Sequence, residues 1–209
     1  MSKFSDAYIT TVLGMRGCGK STLTKILSRN HPRLIIFDIV DEWAGTHVAH
    51  NFQEFANIWR DQFNQGKYQI VIKFKFGTDQ KTIIDIQTQI TTLIYITGKD
   101  SGIETCIIFE ECQFYFPNHG LHAVNMHLLT TGRHAFINII ANSQRPASIS
   151  KLLISQSKKI YVGQLYEAND IGYLYETLGD LATESPNLKP MEFIFYPVGE
   201  HDSIAIIEI

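Results

Sequence analysis

Eight residues near the start of the chain have the types and spacing of a loop that binds phosphate. Gly14 is followed by four residues and then by Gly19, Lys20 and Ser21, which fits the Walker A pattern. Glycines let backbone N–H groups curve around a phosphate, and a helix that begins at the loop directs its positive end at the same anion. Lys20 is expected to reach the β- and γ-phosphates of a nucleotide, and the Ser21 hydroxyl to bind Mg²⁺.

A strand pattern before this loop and a helical pattern after it argue against a chance glycine-rich turn. The predicted nucleotide-binding set comprises Gly14, Arg16, Gly17, Cys18, Gly19, Lys20, Ser21 and Thr22. The variable positions of such a loop contribute backbone, so no side-chain chemistry is assigned to Cys18 or Thr22. A redox-sensing Cys18 is the alternative.

Two apolar segments end in acidic residues, which a nucleotide hydrolase needs beside its phosphate loop to hold Mg²⁺ and to orient the attacking water. One segment ends at Asp38 and the other at the pair Glu110-Glu111. We predict that Glu110 lies near the metal through a bound water and that Glu111 orients the nucleophilic water. The alternative for this pair is a solvated start of a loop. For Asp38, a cap of the following turn or a supporting position is favoured.

Polar residues flank the next apolar run, 136–141. Gln144 follows it, and because the carboxyl ends of parallel strands share one edge of a sheet, Gln144 is expected to reach the γ-phosphate or its water. A polar turn that ends at a proline is the alternative.

Arg133 precedes the same run, and a strand of about six residues is about 20 Å long. Arg133 therefore cannot serve the nucleotide that Gln144 serves. We predict an arginine finger that reaches a neighbouring subunit, which implies a ring. A plain surface arginine is the alternative.

The positions of these residues in the fold depend on strands and helices, which are predicted to alternate along the chain. Strands are predicted at 8–13, 34–40, 68–76, 105–109, 136–141 and 159–162, and helices at 22–29, 52–63, 122–131, 149–156 and 168–178. In segment 80–97, the isoleucine and threonine content favours a strand, but its length and its spacing of apolar residues favour a helix, which we predict. The tail, 192–196 and 204–208, has the pattern of a hairpin.

The alternation of strands and helices predicts an α/β fold. We expect a mostly parallel central sheet flanked by helices, right-handed crossovers and antiparallel C-terminal edge strands. The length of 209 residues and the lack of a linker-like segment predict a single domain over 1–209.

The composition narrows the function further. Hydrophobic residues at 44% and charged residues at 19% exclude global disorder. A net charge of −3 excludes a protein that coats nucleic acid by bulk charge, but not one that touches phosphates with a few placed residues. Three cysteines without a C-x-x-C pair indicate a reducing compartment. The sequence contains neither an apolar signal core nor a run of about 18 apolar residues, so we expect a soluble protein without a transmembrane segment.

The segments that contain the candidate site residues occur in an order that matches a known family. After the phosphate loop come an Ile-Ile-Phe-Glu-Glu strand end, a Gly-Arg-His segment and a Ser-Gln-Arg-Pro segment. Over about residues 8–162 the chain resembles the FtsK/HerA superfamily of DNA-pumping ATPases. Its compact size is most similar to the genome-packaging ATPases of membrane-containing icosahedral viruses.

This resemblance implies a RecA-like P-loop core that forms a ring, a pentamer or hexamer when active, around double-stranded DNA. Such a ring uses ATP and Mg²⁺ to move the duplex into a preformed capsid at its portal vertex, in the host cytoplasm or associated with the virion. By position, Glu110 and Glu111 would form the Walker B end, Gln144 the polar sensor and Arg133 the finger. Glu110 stands where an aspartate is more usual, which leaves the division of roles between the two acids open.

Contacts with DNA are predicted from the densest basic stretch, which contains Lys73, Lys75 and Lys81. A solvated charged face is the alternative.

The runner-up function is a small-molecule P-loop kinase of the nucleotide or shikimate type. Such kinases clamp phosphates with several lid arginines, and this chain has no arginine after Arg145. A third class is a scaffold protein that binds a nucleotide without hydrolysing it. Such a protein would not need Lys20 and Glu111.

Overall fold

The computed structural model of the protein describes residues 7–200 and 203–209. Within those residues the strands are β1 (Ile9–Leu13), β2 (Arg33–Asp38), β3 (His47–Ala49), β4 (Tyr68–Lys73), β5 (Thr105–Phe109), β6 (Ile137–Ser143), β7 (Ser157–Val162), β8 (Glu192–Pro197) and β9 (Ala205–Glu208). The α-helices are α1 (Lys20–Ser28), α2 (Phe52–Gln62), α3 (Gln80–Ser101), α4 (Ala123–Thr131), α5 (Lys151–Gln156) and α6 (Ala168–Leu178).

The predicted fold class is confirmed. The nine strands form a mixed sheet in the order β3-β4-β2-β5-β6-β1-β7-β8-β9. β2 pairs in parallel with β4 and β5, and β1 pairs in parallel with β7. The C-terminal strands β8 and β9 add to β7 in antiparallel orientation, as the hairpin pattern predicts.

The ambiguous segment that begins at residue 80 is a helix, as predicted. Asp79 caps α3, since its carboxylate accepts the Thr82 N–H at 2.9 Å. The helix ends at Gly102, whose φ of 69° lies in the left-handed region that favours glycine.

Several boundaries differ from the prediction by up to four residues, and one short strand was not predicted. β4 ends at Lys73 rather than at residue 76, because the chain turns there and the Thr78 N–H donates to the Lys75 carbonyl at 3.0 Å. Lys75, which falls inside the predicted strand, therefore lies in the loop after β4. The short β3 was not predicted, since three residues are too few to show the period of a strand.

The described part of the chain divides into two compact units. The first contains Ser28–Glu110 and His122–Ile139, and its strands β2, β3, β4 and β5 are parallel. Phe37 on β2 lies opposite Phe109 on β5, and the two rings stack with centroids 5.0 Å apart. Because these strands are buried on both faces, they read as continuous apolar runs in the sequence.

The second unit contains Ile9–Leu27, Glu111–Leu121 and Ile140–Ile209. Its parallel pair β1 and β7 places Leu13 opposite Val162. Side chains of both strands are fully buried there together with Phe193 of β8. The segment between β1 and α1, which contains the whole predicted phosphate loop, belongs to this unit. The prediction of one domain over the whole chain stays a prediction.

No helix in the described ranges is long and apolar enough to cross a membrane.

Candidate nucleotide-binding and hydrolysis site

The predicted phosphate loop lies between the end of β1 at Leu13 and the start of α1 at Lys20. Backbone hydrogen bonds hold its first residues: the Gly14 N–H donates to the Ser143 carbonyl at 3.2 Å, and the Met15 N–H to the Gln164 carbonyl at 2.7 Å. Gly19 has a φ of 103°, and a Cβ there would lie 2.5 Å from the Met191 sulfur. Only glycine fits that position without strain.

Lys20 is buried and bends back over its own loop. Its Nζ donates to the Met15 carbonyl at 2.9 Å. The ammonium group therefore lies against the loop where the Walker A pattern predicts a phosphate. Ser21 follows in the first turn of α1 and is half-buried, while Arg16 and Thr22 are exposed.

Cys18 is 1% exposed inside the loop. Burial raises the pKa of its thiol, although the nearby Lys20 charge and backbone N–H groups act in the opposite direction. The thiolate is the reactive form of a cysteine, so both the raised pKa and the burial disfavour redox chemistry.

We expect Cys18 to react slowly with iodoacetamide at pH 7.5 in the folded protein, at less than about a tenth of its rate in urea. Mass spectrometry of peptides after timed alkylation measures this directly. Cys106, whose thiol pKa burial also raises, is the internal control. If Cys18 alkylates as fast in the folded protein as in urea, the redox-sensing alternative regains support.

Glu111 is the second residue after the end of β5. Its φ of 50° and ψ of 59° are a conformation that few residues other than glycine adopt. The Asn142 side chain holds this backbone, since Asn142 Oδ1 accepts the Glu111 N–H at 3.0 Å. Asn142 Nδ2 also donates to Thr24 Oγ1 on α1 at 3.4 Å. One buried amide thus links the backbone of the predicted catalytic acid to the helix that follows the phosphate loop.

Glu111 is 8% exposed. Each oxygen of its carboxylate accepts one hydrogen bond. Gln144 Nε2 donates to Oε1, and Gln113 Nε2 donates to Oε2 at 2.9 Å. The structure therefore brings Glu111 and Gln144 into direct contact, in the same unit as the phosphate loop.

Glu110 is in a different setting, in the first unit. Its buried Oε1 accepts the indole N–H of Trp43 at 2.7 Å. Asp38 in turn accepts the backbone N–H groups of Glu42 at 3.0 Å and Trp43 at 2.9 Å. Asp38 thus caps the turn after β2, which is the role that the sequence favours for it. The predicted position of Glu110 near a metal stays a prediction.

Two arginines flank β6 and differ in their surroundings. Arg133 lies in a short 3-10 turn before β6 and is exposed. Arg145, on the other side of β6, lies 3.7 Å from Glu167 and 3.7 Å from the buried Asp170. Arg145 is therefore engaged within its own unit.

The three predicted DNA-contacting lysines are not equivalent. Lys73 forms an ion pair with Asp41, and the hydrogen bond between them raises the pKa of the lysine. Lys75 and Lys81 are exposed on either side of the turn before α3, where Phe76 is also fully exposed. Lys75 and Lys81 are the better placed of the three to contact a polyanion.

Sequence reasoning missed three residues of this site: Trp43, Asn142 and Gln113. Each acts through a hydrogen bond to Glu110 or Glu111. Gln113, two residues after Glu111, was within reach of a local pattern, but the contact of Trp43 spans 67 positions and that of Asn142 spans 31.

The fold has the class of the P-loop NTPases. A glycine-rich loop joins a parallel strand to a helix, and Glu111 and Gln144 lie in the same unit as that loop. No family model matches the sequence, and no curated protein matches it significantly. Solved structures do match.

The genome packaging NTPase B204 from Sulfolobus turreted icosahedral virus 2, in complex with ATPγS, is similar with a TM-score of 0.76 and 20% identity over 97% of each chain. B204, the DNA-packaging ATPase from Sulfolobus turreted icosahedral virus, has a TM-score of 0.67 and 17% identity over 98% of each chain. VirB4 of Thermoanaerobacter pseudethanolicus has a TM-score of 0.65 and 9% identity over 96% of this chain and 88% of its own. The predicted resemblance to viral packaging ATPases is confirmed at the level of the fold.

Proposed function

We propose that the protein is an ATPase that moves double-stranded DNA into a preformed viral capsid. The observation that carries the proposal is the contact of Glu111 with Gln144 in the unit that contains the phosphate loop. The fold likeness to a genome packaging NTPase in complex with ATPγS and with AMPPCP supports it. So does the likeness to a DNA-packaging ATPase.

In this proposal the loop binds the phosphates of ATP through backbone N–H groups and the Lys20 ammonium. A water attacks the γ-phosphorus in line as the bond to the oxygen bridging the β- and γ-phosphates breaks, which yields ADP and phosphate. Glu111 orients that water and accepts its proton, and Gln144 contacts the γ-phosphate or the water. Lys20 neutralises charge on the transferred group and on the leaving oxygen.

Magnesium fits this residue set. Mg²⁺ keeps several waters and needs only one or two protein oxygens beside the phosphates. The half-buried Ser21 hydroxyl, in the first turn of α1, would hold it. The ion supplies neutralisation of phosphate charge when bound.

The proposed assembly is a ring of five or six copies around the duplex, at the portal vertex of the capsid, in the host cytoplasm or on the virion. The exposed Arg133 supports this arrangement, because a finger that serves the next subunit must project from its own. Weak, releasable DNA contacts suit a translocating motor, and the net charge of −3 is compatible with a few local lysines.

The direct test is phosphate release by the purified protein with Mg²⁺ and ATP, with and without linear double-stranded DNA. We expect turnover that the duplex stimulates. Lys20→Ala is the control for a contaminating ATPase. A protein without ATP turnover in either condition contradicts the proposal, and a stoichiometric phosphorylated small-molecule product would establish the kinase alternative instead.

Exchange of both Lys75 and Lys81 for alanine is expected to raise the DNA concentration needed for half-maximal stimulation by about tenfold. ATPase activity without DNA should not change, since both side chains are exposed and lie outside the nucleotide site. If each lysine contacts one phosphate, the slope of log affinity against log salt falls by about 0.9 for each.

Two variants serve as controls for that measurement. Lys73→Ala should have a smaller effect, because Asp41 already neutralises this lysine. Lys99→Ala removes an exposed lysine from the last turn of α3 in the same unit and should have none. If the Lys75/Lys81 double variant, Lys73→Ala and Lys99→Ala all weakened DNA stimulation equally, the basic stretch would act only through net charge.

A further inference from the structure

Both oxygens of the Glu111 carboxylate are hydrogen-bonded to side-chain amides. Gln144 donates to Oε1 and Gln113 donates to Oε2. Each carboxylate oxygen has two lone pairs, so one amide N–H on each oxygen fixes the orientation of the carboxylate and leaves a second lone pair for water. The two amides therefore determine which lone pairs of Glu111 a water can reach.

Gln113 is the more firmly held of the two amides. Its Oε1 accepts the hydroxyl hydrogen of Ser143 at 2.8 Å, and Ser143 is fully buried. The Ser143 hydroxyl oxygen also accepts the Arg145 N–H at 3.0 Å. The Gln113 amide thus spans from a fixed serine to the Glu111 carboxylate, and it can move only by breaking bonds at both ends.

Gln144 is placed to leave. It lies directly after β6, next to Ser143, whose carbonyl accepts the Gly14 N–H of the phosphate loop at 3.2 Å. A phosphate that enters this loop brings strong acceptor oxygens to the vicinity of the Gln144 amide, and hydrogen bonds to such anions are about twice as strong as neutral ones. Binding of ATP therefore provides Gln144 with a competing partner.

We propose that Gln113 is a positioning residue for Glu111, and that it sets which carboxylate oxygen acts. Gln113 holds Oε2, so the oxygen released when Gln144 turns to the γ-phosphate is Oε1. In the absence of nucleotide the two amides fix the orientation of the carboxylate from both oxygens. This inference rests on the proposed ATPase function.

The isosteric change Gln113→Glu distinguishes this role from packing. It preserves the size and shape of the side chain but removes the N–H donor to Glu111 and places a second carboxylate beside it. We expect kcat for ATP to fall about tenfold or more, with the KM for ATP within about twofold of wild type, because the loss of one positioning contact acts on the chemical step. Gln113→Ala should lower kcat to a similar extent.

Ser143→Ala tests the chain of hydrogen bonds. It should lower kcat by about threefold on its own and add nothing to Gln113→Ala, since both act through the same amide. Gln156→Glu makes the same chemical change at an exposed position of the same unit and should leave kcat unchanged. Each variant is also tested for AMPPCP binding and for its melting temperature.

The outcomes separate the inference from the function on which it rests. Absence of turnover in the wild type refutes the proposed function and this inference with it. If the wild type is active and Glu111→Gln is not, wild-type kcat in Gln113→Glu refutes the positioning role alone. Additive losses in Gln113→Ala with Ser143→Ala, or lost AMPPCP binding in the Gln113 variants, would also overturn it.

Discussion

Glu111→Gln is expected to lower kcat for ATP hydrolysis by about 10²- to 10⁴-fold, the usual contribution of a general base, while ATP binding persists. The change removes the charge that orients the water and accepts its proton. It leaves the residues of the phosphate loop unchanged, so the Lys20 ammonium and the loop N–H groups remain available to bind ATP. Phosphate release measures the loss, and equilibrium binding of a fluorescent ATP analogue shows that the site remains intact.

Two acidic residues provide the comparison for this variant. Glu184→Gln changes an exposed glutamate of the same unit and should retain full activity. Glu110→Gln tests the division of roles, since Trp43 already engages that carboxylate. More than about a tenth of wild-type activity in Glu111→Gln would contradict its assignment as the base, and a severe loss confined to Glu110→Gln would move the assignment to that residue.

Arg133→Ala and Lys20→Ala are each expected to be inactive alone and to recover activity when the two proteins are mixed. Loss of an arginine finger costs about 10³- to 10⁵-fold in kcat, and loss of the loop lysine removes the contacts to the phosphates. In a ring, an Arg133→Ala subunit still binds ATP and a Lys20→Ala neighbour still supplies a finger. With equal amounts and random order, about one interface in four has this productive pairing.

A second mixture tests whether recovery depends on opposite sides of an interface. Lys20 and Glu111 lie in one compact unit of one chain, so Lys20→Ala mixed with Glu111→Gln has no subunit with both residues intact. That mixture should stay inactive. Full activity of Arg133→Ala alone would exclude the finger, and a mixture of Arg133→Ala with Lys20→Ala that stays at background would exclude its action between subunits.

Much of the site could be predicted because its signals are local. The spacing from Gly14 to Ser21 specifies a loop whose geometry depends on adjacent residues. Acids at the ends of apolar runs fall at one edge of a parallel sheet wherever the strands pair. The same logic places Gln144, and the contact of Gln144 with Glu111 agrees with the predicted convergence of these strand ends.

The contacts of Trp43 with Glu110 and of Asn142 with Glu111 could not be predicted, because they join distant parts of the chain. The apolar run before Glu110 resembles the run before Asp38, yet Glu110 accepts the indole N–H of Trp43 from 67 positions away, whereas Asp38 caps its own turn, as the sequence favours. Likewise, nothing in the spacing of Lys73 and Lys75 indicates that Asp41 neutralises the first. Sequence patterns show where charges occur along the chain, but not which charge meets which.

By itself, the sequence determined the phosphate loop, the α/β class and the positions of the candidate acids and amides. These follow from backbone preferences and from the periodicity of apolar residues, which involve neighbours along the chain. Only the tertiary structure decided that Trp43 engages Glu110 and that two amides hold Glu111. The contact of Trp43 with Glu110 spans 67 positions and that of Gln144 with Glu111 spans 33, so the register of the strands and the packing of side chains must bring these atoms within reach.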